Sequence, residues 1–223
     1  MSLLGKAAVA IWHDVRPDAR AAYFEWHNRE HMAERVGIPG FLRGRRYAAL
    51  HGQPEFCTLY EAESLEILTG PDYTARLNNP TPWTRRAAAQ LDGNVRSLCR
   101  VALSLGTGQG GLLATWRYDV APGRDEEQRA LVEAGLRSLA QRPGIVGAHL
   151  CLGDREASSL QTEEKKSRPT QALTPNWVVL VEGGGERAAL EDACAELLPA
   201  ALLIEAGAQD LATGTYQFQF QPF

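Results

Sequence analysis

The stretch from Phe24 to Tyr47 holds the side chains of this sequence that are best suited to chemistry. It begins with Trp26-His27-Asn28-Arg29-Glu30-His31. On a helix, His27 and His31 lie four residues apart, so their Cβ atoms share one side at a distance of ~6 Å. A histidine pair beside Glu30 could perform general acid–base catalysis, with His27 or His31 as the base and Glu30 orienting it. His27, Glu30 and His31 are therefore the candidate catalytic residues.

The five residues from His27 to His31 also fit the zinc-protease pattern H-x-x-E-H, in which two histidines bind the metal. The pattern is short, and a third ligand would have to come from elsewhere, such as His13 or His51. The surrounding chain does not match a protease of that type, so no metal is expected here.

Two further residues are candidates for substrate binding. Arg46 is the one charged residue on the face of its predicted strand that also carries Leu42, Gly44, Ala48 and Leu50. A buried arginine needs an anionic partner, which could be Glu61 or a substrate carboxylate. Arg43 and Arg45 lie on the other face and are interpreted as surface residues. Trp83 lies in a proline-rich bend, where it could line a pocket or, as the favoured interpretation, plug one end of the fold.

The elements that position these residues occur twice in the same order. Strand, helix, strand, strand, helix and strand are predicted over residues 1–105, and again over 112–223, with a glycine-rich linker at 106–111. The helix beginning at Pro17 is predicted to end near Val36, before Pro39-Gly40, and the segment 64–91 to be helical but broken at Pro71, Pro80 and Pro82. Pro143-Gly144 matches Pro39-Gly40 in the second half.

This order predicts an α+β fold made of two tandem ferredoxin-like repeats. Each repeat would bury one face of an antiparallel sheet under helices and leave the other face bare, so the two bare faces should pair into a barrel. A polar insertion at about 156–173 is predicted to be a mobile surface loop.

The first helix also raises the question of whether its histidines are structural. Counting back from Pro143, the positions matching His27, Glu30 and His31 are Leu131, Ala134 and Gly135. Confinement of the cluster to one half favours a local role, which could be a small-molecule site or a contact with another subunit. On a helical wheel, Ala19, Ala22, Trp26, Ala33 and Val36 form the predicted buried stripe, with the histidines on its flank.

Composition excludes several other classes of function. A net charge of −4 offers no basic face to nucleic acid, and no apolar run approaches the ~20 residues of a membrane span. The four cysteines are isolated and are expected to be buried thiols, which with the absence of a signal peptide predicts a cytoplasmic protein. The Gly183–Ala188 stretch fits G-x-G-x-x-A but lacks the strands of a dinucleotide fold, so no cofactor is expected.

The motifs around the first helix and the second strand resemble those of the dimeric α+β barrel superfamily, including EthD-like and uncharacterised bacterial proteins. The resemblance rests on 26–31, on Pro39-Gly40-Phe41 with 43–47, and on the segment 73–86, which together cover most of the first half. It implies a small-molecule pocket and an activity such as cofactor-free monooxygenation or isomerisation of an aromatic or carboxylic metabolite. The competing interpretation is a non-catalytic binding or assembly module, with a homodimer possible. A haem role would need a ligand such as His149, which nothing nearby supports.

Overall fold

Eight antiparallel strands form one closed barrel in the computed structural model, which describes residues 3–167 and 173–223. The strands of the first half are β1 (Ala7–Val15), β2 (Phe41–Gly52), β3 (Phe56–Ala62) and β4 (Leu91–Gly106). Those of the second half are β5 (Leu112–Val120), β6 (Ile145–Gly153), β7 (Trp177–Gly183) and β8 (Ala208–Phe220). Their order around the barrel is β1-β3-β2-β8-β5-β7-β6-β4.

Each half has the strand order of a ferredoxin-like sheet. β1 pairs with both β3 and β4, and β3 pairs with β2, as β5 pairs with β7 and β8 and β7 pairs with β6. The two sheets join edge to edge through β2–β8 and β4–β6. The predicted α+β barrel is confirmed, and its closure within one chain leaves no sheet edge exposed.

The helices cover the outside of the barrel. In the first half these are α1 (Arg20–Trp26), a π-helical turn (His27–His31), α2 (Met32–Val36), α3 (Leu65–Thr69), α4 (Pro71–Asn78) and α5 (Pro82–Ala88). The second half contributes α6 (Asp125–Leu139), α7 (Arg155–Ser159), α8 (Glu163–Lys166), α9 (Arg187–Leu197) and α10 (Ala200–Glu205). Pro71 and Pro82 each begin a helix, where their missing N–H has no partner to lose.

Side chains alternate between the barrel interior and the helix-covered outer surface. Trp12, Tyr47, Cys57 and Tyr216 belong to a core inside the barrel to which both halves contribute. The outer faces pack against helices in separate clusters for the two halves. The strands that carry the site are therefore buried on both faces, and the four cysteines are buried free thiols as expected.

Two segments differ from the sequence-based prediction. The last strand begins at Ala208, whereas the sequence predicts 215–221, because its first residues gain their structure from pairing with β5 rather than from local propensity. In the insertion, residues 156–167 contribute most of α7 and all of α8. These are packed against the first half and not a solvated loop, because Glu164 is buried in an ion pair with Arg35 of α2. Residues 168–172 lie outside the described residues.

No helix of the described residues is both long enough and apolar enough to span a membrane.

Candidate functional site

The helix that carries the candidate catalytic residues contains one π-helical turn, from His27 to His31. A π turn accommodates an extra residue in the helix, which changes the angular position of every side chain that follows. The buried face consequently includes Tyr23, His27, His31 and Arg35, spaced four apart. The predicted stripe is wrong in part, since Ala22 and Ala33 are exposed and the histidines face the sheet.

The two histidines lie between the helix and the outer face of the first-half sheet. His27 and His31 are only 3% and 6% exposed, and their rings stack with centroids 5.5 Å apart. Trp26 lies 4.3 Å from His31 between ring centroids, and Tyr23 stacks on His27 at 5.0 Å. The first-half strands, not another subunit, therefore cover this face of the helix.

His27 is held in its neutral form. Burial is the main cause of a pKa well below 6.5, and electrostatic interactions with His31 and Arg46 lower it further. Nη1 of Arg46 lies 3.0 Å from Nδ1 of His27. Arginine can only donate, so Nδ1 accepts and the proton of neutral His27 resides on Nε2.

A second hydrogen-bonded pair joins the helix to β1. The Tyr23 hydroxyl lies 3.0 Å from Nε2 of His13, which is also buried. Burial raises the pKa of Tyr23, so the phenol stays protonated at neutral pH. Sequence reasoning treated His13 only as a spare metal ligand and missed Tyr23. Their ten-residue spacing across a strand–helix connection offers no recognisable motif.

Arg46 projects from β2 into this cluster, and its partners are neutral. It donates to Asn28 Oδ1 at 2.8 Å and to Gln219 Oε1 at 3.1 Å, besides the contact with His27. Its guanidinium carbon lies 4.8 Å from the Phe24 ring centroid, a cation–π geometry. Burial lowers the pKa of Arg46. The prediction that Glu61 pairs with it is wrong, because Glu61 faces the barrel interior.

Glu61 instead belongs to a chain of ion pairs inside the barrel. It accepts from Arg43 Nε at 2.7 Å and from Arg45 Nη2 at 3.0 Å, and Arg45 Nη1 donates to Glu182 at 2.8 Å. The interpretation of Arg43 and Arg45 as surface residues is also wrong, because the face they occupy is enclosed by the barrel.

His149 lies at the end of this chain, with Nε2 3.5 Å from Glu182. Although burial alone would raise the pKa of Glu182, hydrogen bonds from His149 and Arg45 lower it to about 2. His149 is thus part of an internal ion-pair network that connects the two halves.

Glu30, in the π turn, and Trp83, in α5, lie where the first helix meets α5. Glu30 Oε1 accepts from the hydroxyls of Thr81 at 2.6 Å and Thr84 at 3.0 Å, and Thr84 accepts from Trp26 Nε1 at 3.0 Å. Glu30 thereby fixes the start of α5 against the first helix. The oxygen expected to orient a histidine is engaged with these hydroxyls.

Trp83 is half-buried on the outside of the barrel and lines a cleft of about 320 Å³ together with Tyr23 and Arg86. The expectation that it plugs the barrel end is wrong, since it packs with the helix-side cluster around Tyr23 and Trp26. The structure therefore brings Trp83 to a cleft next to the buried cluster, with Tyr23 between them.

Within the described residues, no group of three or more His, Cys, Asp or Glu side chains is arranged to hold a metal ion. The contact between Nδ1 of His27 and Arg46 also opposes a metal there, because a guanidinium already occupies that nitrogen.

The two halves can be aligned by their matching features. Tyr118 lies 105 positions after His13, and Gln128 lies 105 after Tyr23; this second pair is joined by a hydrogen bond of 3.2 Å. Past the helices, Gly144 lies 104 positions after Gly40, and both glycines have positive φ angles.

The one-residue difference falls within the helix, where the first half has its π turn. The second-half counterparts of His27 and His31 are therefore Val132 and Leu136, and that of Glu30 is Gly135, one position later than the sequence count suggests. Arg46 corresponds to Leu150.

Comparison with solved structures gives the fold. The chain superposes on an anthrone oxidase-like protein with a TM-score of 0.65 and 15% identity, covering 100% of this chain and 95% of that one. A candidate monooxygenase from Lactobacillus acidophilus NCFM gives a TM-score of 0.58 and 11% identity over 97% and 95% of the two chains. A candidate chlorite dismutase gives a TM-score of 0.52 and 9% identity over 96% of this chain and 94% of that one.

No family model matches the sequence, and no curated protein matches it. At these identities the likeness establishes a shared fold, the ferredoxin-like α+β barrel, and leaves the activity to be argued from the site.

Proposed function

We propose that the first half of this protein binds a small anionic molecule, aromatic or carboxylic, at the helix–sheet interface and performs cofactor-free acid–base chemistry on it. The observation that carries this proposal is the charge of Arg46. It is 3% exposed and, among the described residues, has no carboxylate partner. A buried positive charge surrounded by neutral groups is costly, and an anionic ligand would relieve that cost.

The neighbouring arginines of the same strand strengthen this argument. Arg43 and Arg45 are also buried; Arg43 donates two hydrogen bonds to Glu61, and Arg45 donates one to Glu61 and two to Glu182. The chain therefore supplies carboxylates where arginines serve only to hold the barrel together. At Arg46 it supplies amide and imidazole groups, which an incoming carboxylate or enolate oxygen could displace.

The cleft beside Trp83 supports a route for the ligand. Tyr23 lines this cleft and also stacks on His27. Movement of this ring would connect the cleft to the cluster. Arg86 at the rim would attract an anion, and Trp83 would pack against an aromatic ring.

The protonation states suggest a role for each polar group. His27, whose Nδ1 accepts from Arg46, would donate through Nε2–H to a developing oxyanion while Arg46 stabilises its charge. His31, stacked on the opposite side of His27 from Tyr23, would be the base that removes a proton from carbon or phenol. Glu30 would act on the site indirectly, by fixing α5 and with it Trp83.

The experiment that tests binding is a titration with phenylacetate, followed by the imidazole resonances of His27 and His31 in NMR spectra. The Arg46→Gln variant should bind at least 10-fold more weakly. Arg29→Gln is the matched control, because Arg29 is on the helix that carries His27 and His31 but its side chain is 71% exposed. Equal affinity of all three proteins, or equal binding of neutral 2-phenylethanol, would remove the proposed anion site.

Catalysis is tested separately with phenylpyruvate in D₂O, which has an acidic benzylic C–H next to a ketone. The base takes that proton, the resulting enolate is held by Arg46, and deuterium returns to carbon. We expect exchange above the buffer rate, lost in His31→Gln. Binding without any exchange would favour the alternative function, a non-catalytic small-molecule binding module.

A further inference from the structure

A second cavity, of about 370 Å³, lies in the other half of the barrel, between α9–α10 and the outer face of the sheet. Its floor is formed where β5 and β8 pair and consists of small side chains around Trp116. Its roof is formed by α9 and the turn at Pro199 that separates α9 from α10. The space exists because Ala114 and the threonines paired across the two strands, Thr213 and Thr215, leave the area around the indole unfilled.

Glu191 gives this cavity its charge. One of its oxygens, Oε2, lies 3.4 Å from Arg187 on the same helix. The other, Oε1, is buried and has no hydrogen-bond partner among the described residues, while the side chain as a whole is 29% exposed. Glu191 lines the cavity, and a carboxylate oxygen without a donor there would be stabilised by a ligand that supplies one.

The remaining polar groups in the cavity are a thiol, hydroxyls and one imidazole. Burial raises the pKa of the Cys194 thiol to about 12, so it stays protonated and behaves as a small apolar side chain. Thr213 and Thr215 contribute hydroxyls at the floor, and His51 lies exposed at the rim.

We propose that this cavity is a second ligand site, selective for a small cation with an aromatic or aliphatic body, such as an arylalkylamine. The ring would pack on Trp116 between Ala114 and Leu198, and the ammonium group would donate to Oε1 of Glu191. The two halves would then bind ligands of opposite charge, an anion near Arg46 and a cation near Glu191.

The volume is compatible with such a ligand. A cavity of about 370 Å³ is in the lower part of the ~300–1,000 Å³ range typical of small-molecule sites. It would hold a single substituted ring together with its aminoalkyl chain.

The test uses two probes of similar size and opposite charge, phenethylamine and phenylacetate. Binding is measured by isothermal titration calorimetry on the wild-type chain and on Glu191→Gln. Glu196→Gln is the matched control, since Glu196 is on the same helix but is exposed and paired with Arg142. We expect phenethylamine to bind the wild type and Glu196→Gln alike and to lose at least fivefold in affinity in Glu191→Gln.

A second variant, Ala195→Phe, fills the cavity from its exposed roof and should abolish phenethylamine binding without unfolding the protein, as checked by circular dichroism. Phenethylamine binding that is unchanged in both variants, or absent in the wild type, would overturn the second site. Phenylacetate binding should be unaffected by either variant. The anion site proposed at Arg46 and the cation site proposed at Glu191 can therefore be disproved independently of each other.

Discussion

The two helix–sheet interfaces of this barrel have the same architecture and opposite chemistry. In the first half, His13, Tyr23, His27 and Arg46 are buried between helix and sheet. The corresponding residues of the second half are Tyr118, Gln128, Val132 and Leu150, of which Val132 and Leu150 are completely buried in an apolar core. Because the second half folds with apolar side chains there, a polar cluster is not required by the architecture.

The backbones of the two corresponding helices also differ, by one π turn. It occurs in the first helix and not in α6, and it brings Tyr23, His27 and His31 to the sheet at four-residue intervals. A π turn is less stable than regular α-helix, and in many proteins such turns occur at functional sites. The presence of both a π turn and a buried charge in one half supports the proposed site.

The largest expected effect is on stability, when the charge of the first half is introduced into the second. Leu150→Arg would place an arginine in an apolar interface without acceptors and should destabilise the protein by roughly 3–5 kcal/mol. Urea denaturation measures this, with Leu150→Met as a control that should cost less than ~1.5 kcal/mol. If Leu150→Arg were as stable as wild type, the interface would tolerate charge and the argument from Arg46 would fail.

A smaller effect is expected when the first half is made to resemble the second. His27→Val removes one of the three acceptors of Arg46 among the described residues. It should lower the free energy of unfolding by about 1–3 kcal/mol, because the guanidinium loses a buried hydrogen bond. Adding Arg46→Leu should restore much of that loss, since the unpaired charge is then gone. A double-mutant cycle in urea measures the coupling, expected at 0.5–3 kcal/mol. Additive effects would mean that the two side chains do not depend on each other.

The pH dependence of stability tests the burial of neutral His27, with an expected change of about 1 kcal/mol in the free energy of unfolding between pH 6.5 and 5.5. The pKa of His27 is lowered in the folded state, so below pH ~6.5 the unfolded chain binds a proton that the folded chain does not. Its contribution to stability is fully present above pH 6.5 and falls by roughly 1.4 kcal/mol per pH unit below it.

The measurement is urea denaturation at pH 7.5, 6.5 and 5.5 on wild type and His27→Gln. The variant should lose less stability than wild type between pH 6.5 and 5.5, and the two should run parallel above that range. His51→Gln, at an exposed histidine, should follow the wild-type profile. A wild-type profile in His27→Gln would show that His27 is accessible to protons in the folded state.

Much of the fold could be predicted because its determinants are local. Short segments of the sequence encode the alternating strands, the proline-initiated helices and the repeated order of elements. These features were enough to predict the barrel. The burial of Arg43 and Arg45 could not be predicted in this way. Alternation assigns one face of a strand to solvent, whereas a barrel strand covered by helices has no solvent face.

Some members of the candidate cluster could be predicted, but its geometry could not. The sequence identifies His27, His31 and Arg46 as residues with unusual chemistry, but the π turn shifts the helix by one residue and cannot be read from periodicity. As a result, the predicted buried stripe misses both histidines. The contacts of Arg46 with Asn28 and Gln219 are nonlocal and follow no motif, because β8 reaches β2 only when the barrel closes.

The smallest effect tests whether matching hydrogen bonds in the two halves have the same role. Tyr23→Phe removes the contact with His13, and Tyr118→Phe removes the contact with Gln128. Each should cost about 0.5–1.5 kcal/mol in urea denaturation, because each breaks one buried hydrogen bond. If both hydrogen bonds are purely structural, the two substitutions should change stability and leave ligand binding unchanged.

If the first half binds its ligand as proposed, only Tyr23→Phe should change the rate of phenylacetate binding, because its ring lies between the Trp83 cleft and His27. Without its bond to His13 the ring should swing away more readily and the ligand should enter faster, while Tyr118→Phe should match wild type. Identical binding kinetics in the two variants would mean that Tyr23 does not control access, and the route would then have to pass elsewhere around the first helix.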